Sequence, residues 1–173
     1  MTKYSKSIIF LHWASAILVI AALLAGNVIL ANLENADPEK LFSYRAHALI
    51  GILVLILTLI RVLKKRSTPK PPQAATGHVV LDKVGVSVHH LLYVLLILVP
   101  VSGLALAMAS GVGAYAFGGS GIPPMDADSF AAGTAHGIAT KLLMGAVGLH
   151  ILGALYHQFI RKDNLLGRMA FWK

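Results

Sequence analysis

The sequence predicts an all-α integral membrane four-helix bundle with both termini in the cytoplasm. Four observations predict it. Four long apolar segments stand out, near residues 8–31, 47–63, 84–109 and 134–160. Apolar residues make up 57% of the 173 residues and charged ones only 13%, about half the share of an ordinary soluble domain. Mean hydropathy is +0.73. The basic residues are also concentrated in alternate connections, as the topology of a multi-pass protein requires. The whole chain, 1–173, reads as one transmembrane domain with no soluble appendage.

Each segment approaches or exceeds the roughly 20 residues that cross about 30 Å of hydrocarbon. A lipid-embedded backbone must satisfy its own hydrogen bonds, so all four are expected to be helices. The first span follows Lys3 and Lys6. Its short basic start and the small residues Ala25-Gly26 resemble a signal peptide, but its length and the early His12-Trp13 favour a retained span. The second is the shortest and could begin near Tyr44. The third holds Pro100 and Gly103, where a kink is expected. The fourth is crowded by Gly133, Gly137, Gly145, Gly148 and Gly153, which permit close approach of a helix or a flat macrocycle. The stretch 64–78 reads as a solvated loop, rich in charge and proline. The connection from Ser110 to Phe130 reads as a glycine- and proline-rich loop, with Tyr115, Phe117 and Phe130 at the interface.

Lys3, Lys6, Arg61, Lys64, Lys65, Arg66, Lys70, Lys83, Arg161, Lys162, Arg168 and Lys173 fall on one side, 12 of the 15 basic residues. Glu34, Asp37, Glu39, Asp126 and Asp128 fall on the other, with Lys40 and Arg45. The net charge of +8 is therefore a topology signal with some attraction to anionic lipid, and nucleic acid is not an expected partner. The absence of cysteine excludes disulfides, iron–sulfur clusters and thioether-linked haem.

Histidines at membrane depth mark function. His136 and His150 lie fourteen residues apart on the fourth span. That spacing leaves an angular offset of only about 40° and a rise of about 21 Å, so both share one face at two depths. Antiparallel order puts His47 level with His136 and His12 level with His150. Two imidazoles facing across a bundle suit the two axial positions of a haem iron. Zinc would want three or four clustered ligands, and no carboxylate lies inside any span. His157 matches the depth of His12 as well as His150 does. It lies about 31 Å from His136 along the helix, a gap that would slow electron transfer severely, so His150 is the favoured ligand.

Other residues join these levels. Arg61 follows His47 by fourteen residues and could receive haem propionates through its guanidinium, and Arg45 could do so at the outer level. Gly26 follows His12 at the same spacing. His89 and His157 are candidates for a pocket beside the inner haem. His78 and His90 read as solvated or interfacial. Lys141 lies about 140° off the histidine face and reads as snorkelling outward.

Four stretches carry a family resemblance: "KYSKSIIFLHW", "RAHALIGILVLILTLIRVL", "HHLLYVLLILVPVSGL" and "AHGIATKLLMGAVGLHILGALYHQFIRKDNLLGRM". Together they make the chain resemble the bacterial cytochrome b561 family, four-helix di-haem b proteins of the inner membrane. The resemblance implies two haem b groups, ligated by His12, His47, His136 and His150, with His157 at a quinone site. It implies an oxidoreductase that takes electrons from periplasmic superoxide and passes them to ubiquinone. The fourteen-residue histidine pair is also similar to that of cytochrome b subunits of hydrogenases and formate dehydrogenases. The alternative is therefore a subunit relaying electrons between a dehydrogenase-type partner and the quinone pool, with residues 111–130 as docking segment. A haem-free structural bundle leaves the four histidines unexplained.

Overall fold

The structure is a computed structural model describing residues 3–34, 37–69, 71–72, 74–118 and 129–171. Lys70, Asp126, Asp128 and Lys173 of the charge pattern lie outside the described residues, as does the 119–128 portion of the expected docking segment.

Helix α1, Lys6–Leu24, runs into a π-helical turn, Ala25–Leu30. Helix α2 is Pro38–Ser67, α3 is Val79–Ala109 and α4 is the short Val112–Gly118. Helix α5, Ala131–Leu155, ends in a second π-helical turn, Tyr156–Arg161, followed by a 3-10 turn, Leu165–Met169. Among the described residues, four helical stretches are long and apolar enough to cross a membrane: Lys6–Leu30, Glu39–Ser67, Val79–Ala109 and Ala131–Arg161. No strand occurs among the described residues.

The helices start earlier than the apolar runs, for chemical reasons. Asp37 caps α2, accepting the Glu39 N–H at 2.8 Å, and Pro38 takes the first helical position, where its missing N–H costs nothing. The second span therefore begins about ten residues before the apolar run at His47. Helix α3 likewise starts at Val79, because Asp82 in its first turn accepts both the N–H and the hydroxyl of Thr76 at 2.7 Å. Helix α4 lies inside the connection that reads as a loop. Gly111, at φ 76°, adopts the left-handed conformation that ends α3 and reverses the chain. The new helix then buries Ala116, and the Arg45 side chain on α2 donates through Nε to the Ala116 carbonyl.

Helix α3 packs along α5, α1 along α2, and α2 against α3, while α5 makes few close backbone approaches to α1 and α2. The bundle is thus two helix pairs, with α5 standing off across the gap. Val19, Val54, Leu95, Leu96, Leu143 and Ala146 form a buried cluster drawn from all four long helices. Ile17, Leu49, Leu98 and Leu152 point outward, as lipid-facing residues should. Tyr4 N–H donates to the Arg168 carbonyl at 3.2 Å, Trp13 Nε1 to the Met169 carbonyl at 2.8 Å, and Arg168 to the Pro72 carbonyl at 2.5 Å. Both chain ends and the α2–α3 connection therefore meet at one end of the bundle, the basic one.

Candidate functional site

The gap between α5 and the α1/α2 pair is bridged by histidines at two levels. His47 on α2 faces His136 on α5 with ring centres 6.2 Å apart and planes at 88°. His12 on α1 faces His150 on α5 at 6.1 Å and 74°. Two metal–imidazole bonds of about 2 Å, plus roughly 1.1 Å from each nitrogen to its ring centre, require a separation of about 6.2 Å. Both pairs meet that figure. The His89 ring also approaches His150, but at 5.0 Å it is too near to leave room for an iron between them. The His157 ring contacts Tyr156 and Asp163.

The rings differ in how Nδ1 is held. The Nδ1 atoms of His12 and His47 are buried with no hydrogen-bond partner. The His136 ring is held instead. Its Nδ1 lies 3.0 Å from the Val99 carbonyl and 3.1 Å from Ser102 Oγ. The Ser102 hydroxyl donates to Val99 at 2.9 Å, so its oxygen is free to accept. Nδ1–H is then the donor and Nε2 presents its lone pair, the tautomer a metal ligand needs.

Two glycines make space for the outer rings. A Cβ at Gly26 would lie 3.0 Å from His47 Cε1, and one at Gly103 would lie 3.0 Å from Cε1 and 3.2 Å from Nδ1 of His136. Neither ring can shift without leaving its partner. Gly103→Val is expected to displace His136 and cut bound haem sharply. Gly145→Val, where a Cβ meets nothing within 4 Å, should leave haem content unchanged. Haem per chain in the two purified variants checks this.

Arg61 lies at the basic end with its guanidinium carbon 5.6 Å from the Tyr93 ring centre, and Lys65 Nζ lies 4.8 Å from the same ring. Arg61 Nε is buried without a hydrogen-bond partner. A buried guanidinium with an unmatched donor suits a propionate. Arg45 is different, because its Nε is already committed to Ala116. His89 Nδ1 bonds the Gly85 carbonyl at 2.7 Å, so its Nε2 is the outward nitrogen. Lys141 is exposed on α5.

Sequence reasoning missed Ser102, the Val99 carbonyl and Asp163. Ser102 stands at the depth of His136 on an antiparallel helix, beside Gly103, and that coincidence was the available signal. Asp163 had none, since its approach to His157 depends on backbone geometry outside any helix.

The profile of the family described as prokaryotic cytochrome b561 matches residues 3–172. The chain is 32% identical to a cytochrome b562 of Cereibacter sphaeroides over 170 residues, covering 96% of this chain and 94% of that one. It is 29% identical to a probable superoxide oxidase, CybB, of Yersinia pestis over 172 residues, covering 96% and 95%. It is 32% identical to cytochrome b561 homolog 2 of Escherichia coli over 164 residues, covering 91% and 86%. With its four long apolar helices and its facing imidazoles, the chain belongs to the prokaryotic cytochrome b561 family and is a haem b-binding, multi-pass electron-transfer protein of the bacterial inner membrane.

Proposed function

We propose that the protein is a superoxide:ubiquinone oxidoreductase, with haem b held between His47 and His136 at the periplasmic level and between His12 and His150 at the cytoplasmic level. The observation that carries this reading is the pair of facing imidazoles at each of two levels, each at iron-spanning separation. Two superoxide anions yield two oxygen molecules and two electrons, and ubiquinone takes up the two electrons with two protons. His12, His47, His136 and His150 would hold the haem, which would supply reversible one-electron chemistry when bound.

The chain's own residues do the rest. Val99 and Ser102 fix the ring of His136. Arg61 offers its unmatched donor to a propionate at the inner level. At the other end, Lys40 is held with Nζ 2.6 Å from the Leu33 carbonyl, and Arg45 is anchored to α4. These two cations stand among acidic neighbours, where a small anion is drawn to local positive charge. The basic end of the bundle faces the cytoplasm in this reading, following the positive-inside rule. The name of the Yersinia pestis relative supports the same chemistry.

An anaerobic absorbance record tests the reading. The purified protein is given a calibrated superoxide pulse and then ubiquinone. Haem that reduces with the pulse and reoxidises with the quinone is the expected result. Haem that ignores superoxide but accepts electrons from ubiquinol would overturn it and indicate a subunit serving a separate dehydrogenase.

A further inference from the structure

Three buried hydroxyls have no hydrogen-bond partner among the described residues. Serine and threonine in a helix can satisfy themselves on a carbonyl one turn back, and Ser67, Ser102 and Ser110 do so. Ser15 of α1, Thr58 of α2 and Thr140 of α5 do not, although they are only 4%, 1% and 9% exposed. A buried hydroxyl that forgoes the nearest carbonyl is costly unless another partner is at hand.

Two of the three face each other. The register of α1 on α2 is fixed near the outer level, where the His47 ring lies against Gly26 and a Cβ on that glycine would sit 3.0 Å from Cε1. Eleven residues separate Gly26 from Ser15, and eleven separate His47 from Thr58. That spacing is close to three full turns, with an angular offset of only about 20° and a rise of about 16.5 Å. The two helices pack along each other and run in opposite directions. Ser15 and Thr58 therefore return to the same facing line at the same depth. The inner end agrees. Arg61, three residues beyond Thr58, lies within electrostatic reach of His12, three residues before Ser15. Thr140 stands about 10.5 Å nearer the outer level, on another helix.

The facing hydroxyls do not bond each other, so the line between them suits one bridging molecule. A third unmatched atom lies beside them: Nδ1 of His12, one turn away on α1, is buried without a partner. A buried water typically makes about three hydrogen bonds to polar atoms of this kind. A metal-ligating imidazole nearly always gives its second N–H to a carboxylate, a carbonyl or a water. The outer level meets that need on His136 through Val99 and Ser102.

Resting on the inner haem of the proposed function, we propose that Ser15 and Thr58 hold an ordered water between α1 and α2, and that this water accepts the Nδ1–H of His12 and fixes that ring. The water donates to one hydroxyl, accepts from the other, and takes the ring N–H on its second lone pair. Ser15 and Thr58 are thus positioning residues, acting on the iron through His12. An acceptor on Nδ1–H raises the basicity of the imidazole, which favours ferric over ferrous iron. Arg61 keeps its own unmatched donor for a propionate.

The test is a potentiometric titration of the visible spectrum of the haem-loaded full chain. Thr58→Val keeps the side-chain shape and removes the hydroxyl, whereas Thr58→Ser keeps the hydroxyl and removes a methyl. In Thr58→Val and in Ser15→Ala, one of the two midpoint potentials should rise while the other stays. Thr58→Ser should leave both in place. The Ser15→Ala/Thr58→Val double variant should shift no further than a single one, because one water serves both hydroxyls. Equal shifts in Thr58→Val and Thr58→Ser would assign Thr58 a packing role and overturn the proposal. Shifts that add in the double variant, or no shift in any variant, would overturn it too. So would a crystal structure of the haem-loaded protein with no water density between the two hydroxyls. An unmodified protein carrying a single haem that His136→Ala abolishes would overturn the inner-haem reading, and this one with it.

Discussion

His136→Ala is expected to leave one haem b per chain, against the two that the proposed pairing gives the unmodified protein. The argument rests on how the outer level is built. His136 is the best-supported ring of the four, held through Nδ1 by Val99 and Ser102 and fitted against Gly103. Its partner His47 has no second partner for Nδ1. Without His136, the imidazole of His47 remains alone, on a helix that α5 barely touches directly. Nothing else can substitute, because no other histidine ring approaches His47 among the described residues. Haem quantified per chain, with the inner level retaining its low-spin spectrum, checks the result. Full haem content would break the His47–His136 pairing.

His12→Ala has the second large effect, and it differs in kind. The inner level also loses its haem, but electron entry at the outer level stays intact. A superoxide pulse should then still reduce the remaining haem, while reoxidation by ubiquinone falls on the order of a hundredfold or more, because the remaining path is far longer. The ring of His89 does not rescue the site. It lies 5.0 Å from His150 and is fixed by Gly85 in that position, short of the separation an iron needs. Stopped-flow traces of the variant separate the two half-reactions. Equal loss of both would contradict the assignment of His12 to the quinone side.

Much of this architecture was legible because the bilayer imposes simple rules. The four spans followed from apolar length, and the pairing of His12 with His150 and of His47 with His136 followed from helical rise and antiparallel order. The structure brings those rings together. What was not legible depends on backbone chemistry without periodicity. The Asp37-Pro38 cap that extends α2 is a local signal drowned by polar surroundings. The π-helical turns at 25–30 and 156–161 leave no compositional trace. Helix α4 hides in a glycine-rich connection because its burial against α2 is tertiary. Ser102 carries no signal of its own in the sequence, and only the depth of His136 gives it a role. Asp163 needed two left-handed residues to reach His157. Arg45 was legible as an outer cation, but not its bond to Ala116, since that requires α4.

The most direct test of two histidine-bridged levels is haem b per chain in the purified protein, measured together with a potentiometric titration of its visible spectrum. Two haems b per chain, both low-spin and titrating as two one-electron components, is the result this account predicts. A single haem per chain, or a high-spin spectrum with an open axial position, would contradict it.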